Sequence, residues 1–141
     1  SEQELQEYAA DVLERIEPSM DHATIIALSG DLGAGKTTFA QALGCILGIT
    51  DRMTSPTFLV MKQYDLADQM WEQMVHMDAY KLEPDANMEL LHWDEVISDP
   101  DVLLVLEWTE KLPVGLPRPY MQLDFSVIDD TTRDVIERVV Q

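Results

Sequence analysis

Between a short β-branched, apolar run, ATIIALSG at 23 to 30, and a helix-forming run, KTTFAQALGCILG at 36 to 48, the chain carries Gly30, Asp31, Leu32, Gly33, Ala34, Gly35, Lys36 and Thr37. These residues satisfy G-x-x-x-x-G-K-[ST] at every position, and they sit between a predicted strand and a predicted helix, the context that gives the pattern meaning. The chemistry it suits is phosphate binding. Glycines let a loop fold tightly enough for successive backbone N–H groups to converge on oxyanions, and the N-terminus of the following helix adds its positive end. Lys36 then supplies a point charge for β- and γ-phosphates, and the Thr37 hydroxyl is a ligand for Mg²⁺.

A divalent ion held this way also needs one or two carboxylates. Two acids stand at predicted strand ends: Glu107 after VLLVL and Asp78 after MVHM. In open α/β sheets ligands bind outside the carboxyl ends of the parallel strands, so both are candidates, against the plainer reading of a carboxylate at a solvated strand terminus. Thr54, Ser55 and Thr57 surround Pro56 in a hydroxyl-rich loop after the helix. Nucleotide switches sense the γ-phosphate and metal from such a place, although Ser-Pro-Thr also makes an ordinary turn. His22, His76 and His92 lack the spacing of a metal site and are expected in polar surface or satisfied structural roles. The eight methionines are expected as core filler, and Trp71 and Trp93 as packing residues.

The elements that must position these groups follow from periodicity. Leu5, Tyr8, Ala9, Val12, Leu13 and Ile16 share one helical face, and Pro18 ends that helix. TSPTFLVMKQYD at 54 to 65 and QMWEQMVHMDAY at 69 to 80 predict two strands joined by a turn around Asp65 to Asp68, a hairpin inserted in the sheet. ANMELLHWDEVI at 86 to 97 has helical composition. DVLLVLEW at 101 to 108 predicts a strand covered on both faces. LPVGLPRP at 112 to 119 must be loop. YMQLDFSVID alternates Met121, Leu123, Phe125 and Val127 against polar neighbours, and with RDVIERVV after a turn at Asp129 to Thr132 it predicts a closing hairpin.

At 141 residues, 46% hydrophobic and 26% charged, the chain is most simply one globular domain with a real core. Its net charge of -18 repels phosphate backbones and anionic membranes, which makes the chain a poor candidate for direct nucleic-acid or lipid binding. The acidic helix face of Glu2, Glu4, Glu7, Asp11 and Glu14 reads as solvated. Cys45 is the only cysteine, so neither an internal disulfide nor a cysteine-based metal cluster is expected. With no apolar stretch near the ~20 residues of a membrane span and no leader pattern at the acidic N-terminus, a cytoplasmic setting and no membrane partner are expected.

GDLGAGKTTF, TSPTFLV, HMDAYKL and VLEW, in this order and spacing, resemble the TsaE (YjeE-type) ATPases of bacterial tRNA threonylcarbamoyladenosine synthesis. The resemblance extends over nearly the whole chain, and several linked motifs make it more specific than the glycine-rich loop alone. It implies a P-loop NTPase-like α/β fold over residues 1–141, a three-layer sandwich around a mainly parallel central sheet with an antiparallel hairpin insertion and closing antiparallel strands. It implies ATP and Mg²⁺ as cofactors. It implies a weak, partner-dependent ATPase supporting a TsaD-type transferase and its TsaB-type companion, which modify adenosine 37 of tRNAs decoding ANN codons, with tRNA contacted only indirectly. Carried onto this sequence, the family pattern makes Gly33, Ala34, Gly35, Lys36, Thr37 and Thr38 the phosphate cradle, with Lys36 also catalytic. Thr37 and Glu107 become the metal ligands, Asp78 a catalytic or supporting acid, Thr57 the switch-loop hydroxyl, and Trp108 a nucleotide-site residue. Lys81 stands where arginine is usual in the family.

Two other classes remain open on the residues alone. A small-molecule kinase would use the same loop but generally needs further cationic groups around the transferred phosphoryl group, and only five arginines are present, none in a lid-like cluster. A nucleotide-gated assembly module would use ATP to set shape, with hydrolysis incidental.

Overall fold

Spacing of apolar residues decides the first element. In the computed structural model, which describes residues 2–30, 35–49, 61–81, 88, 92–112, 114–129 and 132–141, α1 spans Glu2–Arg15. Ala9, Val12 and Leu13 are buried on its inner face, while Glu4, Glu7, Asp11 and Glu14 are exposed. Among the described residues six strands form one sheet: β1 (Thr24–Gly30), β2 (Met61–Asp65), β3 (Gln73–Asp78), β4 (Val102–Glu107), β5 (Tyr120–Val127) and β6 (Arg133–Val140). Their spatial order is β2-β3-β4-β1-β5-β6. The four inner strands run parallel, and the two outer ones pair antiparallel.

Helix α2 (Lys36–Ile46) packs with α1 on one face of the sheet, over Ile26, Leu28, Leu103, Val105, Leu123 and Phe125. Phe39 joins the layers, with ring centroids 5.7 Å from Tyr8 and 5.6 Å from Phe125. The opposite face, with Ile25, Val75, Met77, Leu104 and Leu106, lies under the short α3 (Trp93–Ile97) and under Leu112 and Leu116 of the loop before β5. All six residues of β4 are buried, as a run covered on both faces requires. Each fully buried leucine there contributes about 2 kcal/mol, so the strand that carries Glu107 is firmly anchored.

Several expectations need correction. The first hairpin joins the sheet as expected, with β3 pairing in parallel with β4 while it pairs with β2, but its turn is longer than expected. The connection runs over residues 66–72, and Trp71 lies in it, buried, with its indole N–H donating to Thr24 Oγ1 at 3.0 Å. A buried anchor of that size draws the loop back onto β1 and delays the start of β3 to Gln73. Val127, expected inside, is 42% exposed. Pairing between β1 and β5 ends at Gly30 and Phe125, so the last residues of β5 run past the sheet's centre with only β6 beside them. Of the methionines, Met74, Met77, Met88 and Met121 are buried, but Met20 and Met70 are exposed.

The closing strand is tied to α1 by charge. Arg15 donates through Nη1 and Nη2 to the two oxygens of Glu137, at 2.6 and 2.8 Å, and through Nε to Asp11 at 2.8 Å. The Tyr8 hydroxyl donates to the same Glu137 carboxylate at 2.7 Å. The Arg15 hydrogen bonds hold the Glu137 carboxyl down to about 2 against the opposing effect of partial burial, with the Tyr8 hydrogen bond and the Arg15 charge adding to the lowering. A carboxyl depressed on folding adds stability above its unfolded value and loses it as pH falls through the folded one. Glu137→Gln is therefore expected to lower Tm by about 3 °C at pH 7, with the gap to the parent narrowing from near pH 4.5 and closing towards pH 2. Thermal melts across that range check it; a gap independent of pH would show that the ion pair contributes nothing.

Candidate functional site

Parallel pairing brings three strand ends to one edge. Glu107 of β4 lies opposite Leu28 of β1 on one side and Asp78 of β3 on the other, so both candidate acids stand at the same level, next to the end of β1. Both are buried. Asp78 accepts the backbone N–H of Tyr80 at 3.0 Å, which starts the tight turn Ala79–Lys81 immediately after the strand.

β1 ends at Gly30, where a Cβ would lie 2.0 Å from the Phe125 carbonyl oxygen on the neighbouring strand. The glycine is required there by the approach of β5. Gly35 caps α2 with φ 104, a left-handed conformation that favours glycine, and its carbonyl accepts the Phe39 N–H at 2.8 Å. α2 therefore begins at Lys36, and its first two residues point chemistry at the strand ends. Lys36 is only 5% exposed; its ammonium donates to the Gly30 carbonyl and lies 3.7 Å from the centroid of the Trp108 ring. Thr37 donates its hydroxyl to Glu107 Oε1 at 2.9 Å.

Glu107 is the hub. While Oε1 faces Thr37, Oε2 lies 2.5 Å from Nε2 of His76, a side chain with no exposed surface. A carboxylate removed from water is costly unless donors meet it, and here each oxygen has one. Directly after it, Trp108 adopts φ 59, while its N–H still donates to the Leu28 carbonyl at 3.0 Å. That left-handed residue turns the chain off the sheet as soon as Glu107 is placed, and it sets the indole against Lys36. Tyr80 packs against Trp108 with its ring tilted by 49°, at 4.9 Å between ring centroids.

Lys36, Thr37, Glu107 and Trp108 thus come together, Asp78 lies beside Glu107, and Gly35 forms the head of α2. Thr38, in the first turn of α2, is exposed. Gly33, Ala34 and the Thr54, Ser55 and Thr57 loop lie outside the described residues. His76 was missed: expected at a polar surface or in a satisfied structural role, it is buried against the hub carboxylate, and its Nδ1 has no hydrogen-bond partner among the described residues. Its signal was the spacing H-x-D within a strand, which places His76 and Asp78 on one face. His22 is held by the Ala23 and Arg118 carbonyls, and His92 is exposed. Trp71 and Trp93 are buried packing residues, as expected.

Among the described residues no group of three His, Cys, Asp or Glu side chains is arranged to enclose a metal ion, and no helix is long and apolar enough to cross a membrane. The family model described as "Threonylcarbamoyl adenosine biosynthesis protein TsaE" matches residues 1–135. The chain belongs to the TsaE family. It is 34% identical over 113 residues to a tRNA threonylcarbamoyladenosine biosynthesis protein TsaE of Nostoc sp., covering 78% of this chain and 67% of the relative. It is 37% identical over 111 residues to the protein of that name from Bacillus subtilis, covering 79% and 66%. The chain thus spans about two thirds of the length of these curated relatives. The crystal structure of Bacillus subtilis YdiB superposes with a TM-score of 0.66 at 25% identity, over 96% of this chain and 78% of that one. This likeness fits the expected P-loop NTPase-like α/β fold.

Placing the Lys36 ammonium on an aromatic face in a largely buried setting is worth about 1 kcal/mol. A double-mutant cycle of Lys36→Met and Trp108→Leu, read by denaturant unfolding, is expected to show coupling of about that size. Strict additivity would mean that the contact carries no energy.

Proposed function

We propose that this TsaE-family chain binds ATP with Mg²⁺ at the head of α2 and hydrolyses it, weakly alone and faster with partners, in support of threonylcarbamoyl modification of adenosine 37 in tRNAs decoding ANN codons. The observation that carries this reading is the meeting of Lys36 and Thr37 with the buried Glu107, where the Thr37 hydroxyl lies 2.9 Å from the carboxylate. A hydroxyl and a carboxylate oxygen side by side are the hard-oxygen donors that Mg²⁺ takes from a protein, its remaining positions going to water and phosphate. The donor set therefore fits the ion, with Thr37 and Glu107 holding it. Bound Mg²⁺ neutralises charge on the phosphate oxygens.

The chain's own groups have separable tasks in this reading. Gly33, Ala34, Gly35 and Thr38 offer backbone donors to the phosphates, and Lys36 moves its ammonium from the Gly30 carbonyl and the Trp108 ring to the phosphate oxygens. Trp108 borders the nucleotide. Asp78, at the level of Glu107, is the acid that orients or deprotonates the attacking water, and Thr57 reports the γ-phosphate. The partners are a TsaD-type transferase and its TsaB-type companion. A kinase reading is less favoured, because the Arg15, Arg118 and Arg138 side chains are engaged with Asp11 and Glu137, with the Gln141 carbonyl, and with Asp124.

Lys36→Met, which keeps the packing of the methylene stem, is expected to lower ATP turnover by at least about 100-fold while the variant stays folded, its Tm lower by only about 3 °C for the lost Trp108 contact. ATP bound beside Trp108 is expected to change the indole emission in the parent, and Lys36→Met should abolish that change. Unchanged turnover in the folded variant would sink the site.

The 27 acidic against nine basic side chains leave little surface for releasing counterions from a polyanion. The isolated chain is therefore expected to show no salt-sensitive tRNA binding in a filter or mobility assay. It should join tRNA only when the transferase pair is present, and more slowly as salt rises. Tight tRNA binding by the chain alone would overturn the indirect route.

A further inference from the structure

We infer that His76 is a positioning residue for the metal-binding carboxylate of Glu107, an inference that rests on the reading of Thr37 and Glu107 as the Mg²⁺ pair. His76 has no exposed surface, and its register partner on β4 is Val105, two residues before Glu107. Strand alternation puts Val105 and Glu107 on one face, so the imidazole of β3 reaches diagonally to the carboxylate at the end of β4. Nε2 lies 2.5 Å from Oε2 and carries the hydrogen that a carboxylate requires of a partner at that distance. One oxygen is thereby fixed by a rigid ring on a central strand. The other is left turned to Thr37 at 2.9 Å.

A packing role alone does not account for this residue. The same core cluster beneath α1 and α2 is built of apolar side chains, Met74, Leu103 and Val105 among them, and a histidine among such neighbours leaves Nδ1 buried without a partner among the described residues. An orphaned buried polar atom is a cost that a leucine or methionine would not carry. What the histidine gains at that cost is the single bond to Glu107. A glutamate side chain has three rotatable torsions, and without that bond Oε1 is held towards Thr37, among the described residues, by the threonine hydroxyl alone. Carboxylates that ligate metals are commonly oriented by such outer partners, whose loss weakens metal affinity by about 10- to 100-fold.

The test compares His76→Leu, which removes the donor, with His76→Gln, whose amide nitrogen reaches the place of Nε2. The readout is equilibrium binding of Mn²⁺ in the presence of ADP, followed by the electron paramagnetic resonance signal of the free ion, beside ADP affinity in the absence of metal. His76→Leu is expected to weaken Mn²⁺ binding by about 10- to 100-fold and to leave metal-free ADP affinity within about threefold, while His76→Gln stays within about threefold of the parent on both. Should His76→Leu fail to fold, His76→Asn, whose amide is too short to reach Oε2, takes its place in the comparison. Normal Mn²⁺ affinity in the variant without the donor, or equal loss in both variants, overturns the inference. Thr37→Ala separates the two levels. If it leaves Mn²⁺ affinity unchanged, the metal-site reading fails; if it weakens binding while His76→Leu does not, only the role of His76 fails.

Discussion

A carboxylate withdrawn from water must be met by donors, and Glu107 makes that demand at the end of the most deeply buried strand in the sheet. The surrounding architecture answers it from two directions. β3 lies parallel to β4 in a register that brings His76 within reach of one oxygen, and α2 begins one residue after a left-handed glycine, so that Thr37 reaches the other. Shifting β3 by a single residue would send His76 and Asp78 to the opposite face. The apolar pattern of MVHMD, with Val75 and Met77 facing one core and Met74 the other, is what forbids that slip.

Chemistry written within a few consecutive residues was legible in the sequence, and chemistry assembled across strands was less so. The phosphate-loop pattern, the start of α2, the burial of β4 and the closing hairpin all follow from local spacing. Glu107 and Asp78 could be named because each ends an apolar run. Nothing local says that His76 meets Glu107, since that contact depends on which strands become neighbours and in what register. Val127 continued an alternation whose covering strand had already stopped. Trp71 looked like part of a strand because its pull towards Thr24 is a tertiary effect. The hairpin of β2 and β3 was legible as a pair inserted in the sheet, whereas the strand it would lie beside was not, because parallel pairing with β4 links segments separated by α3.

Away from the site, the acidic surface is not uniformly passive. Most of the exposed acids of α1 face solvent, yet Asp11 and Glu137 converge on Arg15, and the Tyr8 hydroxyl joins them. Burial, followed by the hydrogen bond to Glu137, pushes the Tyr8 phenol well above its usual range, so it stays a donor at any ordinary pH. This cluster clamps the first helix to the last strand. It thereby closes the layer that contains Phe39 and, one turn earlier in α2, Lys36 and Thr37.

The close approach of Gly30 to Phe125 changes how divergence in this family should be read. The first glycine of the phosphate-loop pattern is demanded here by the neighbouring strand, whether or not a nucleotide is ever bound. A lineage could lose Lys36 and Thr37 without disturbing this strand contact, but it would keep this glycine as long as it kept the sheet. Retention of Gly30 in a degenerate descendant is thus a record of ancestry and of strand packing, and it carries no information about whether the protein still works.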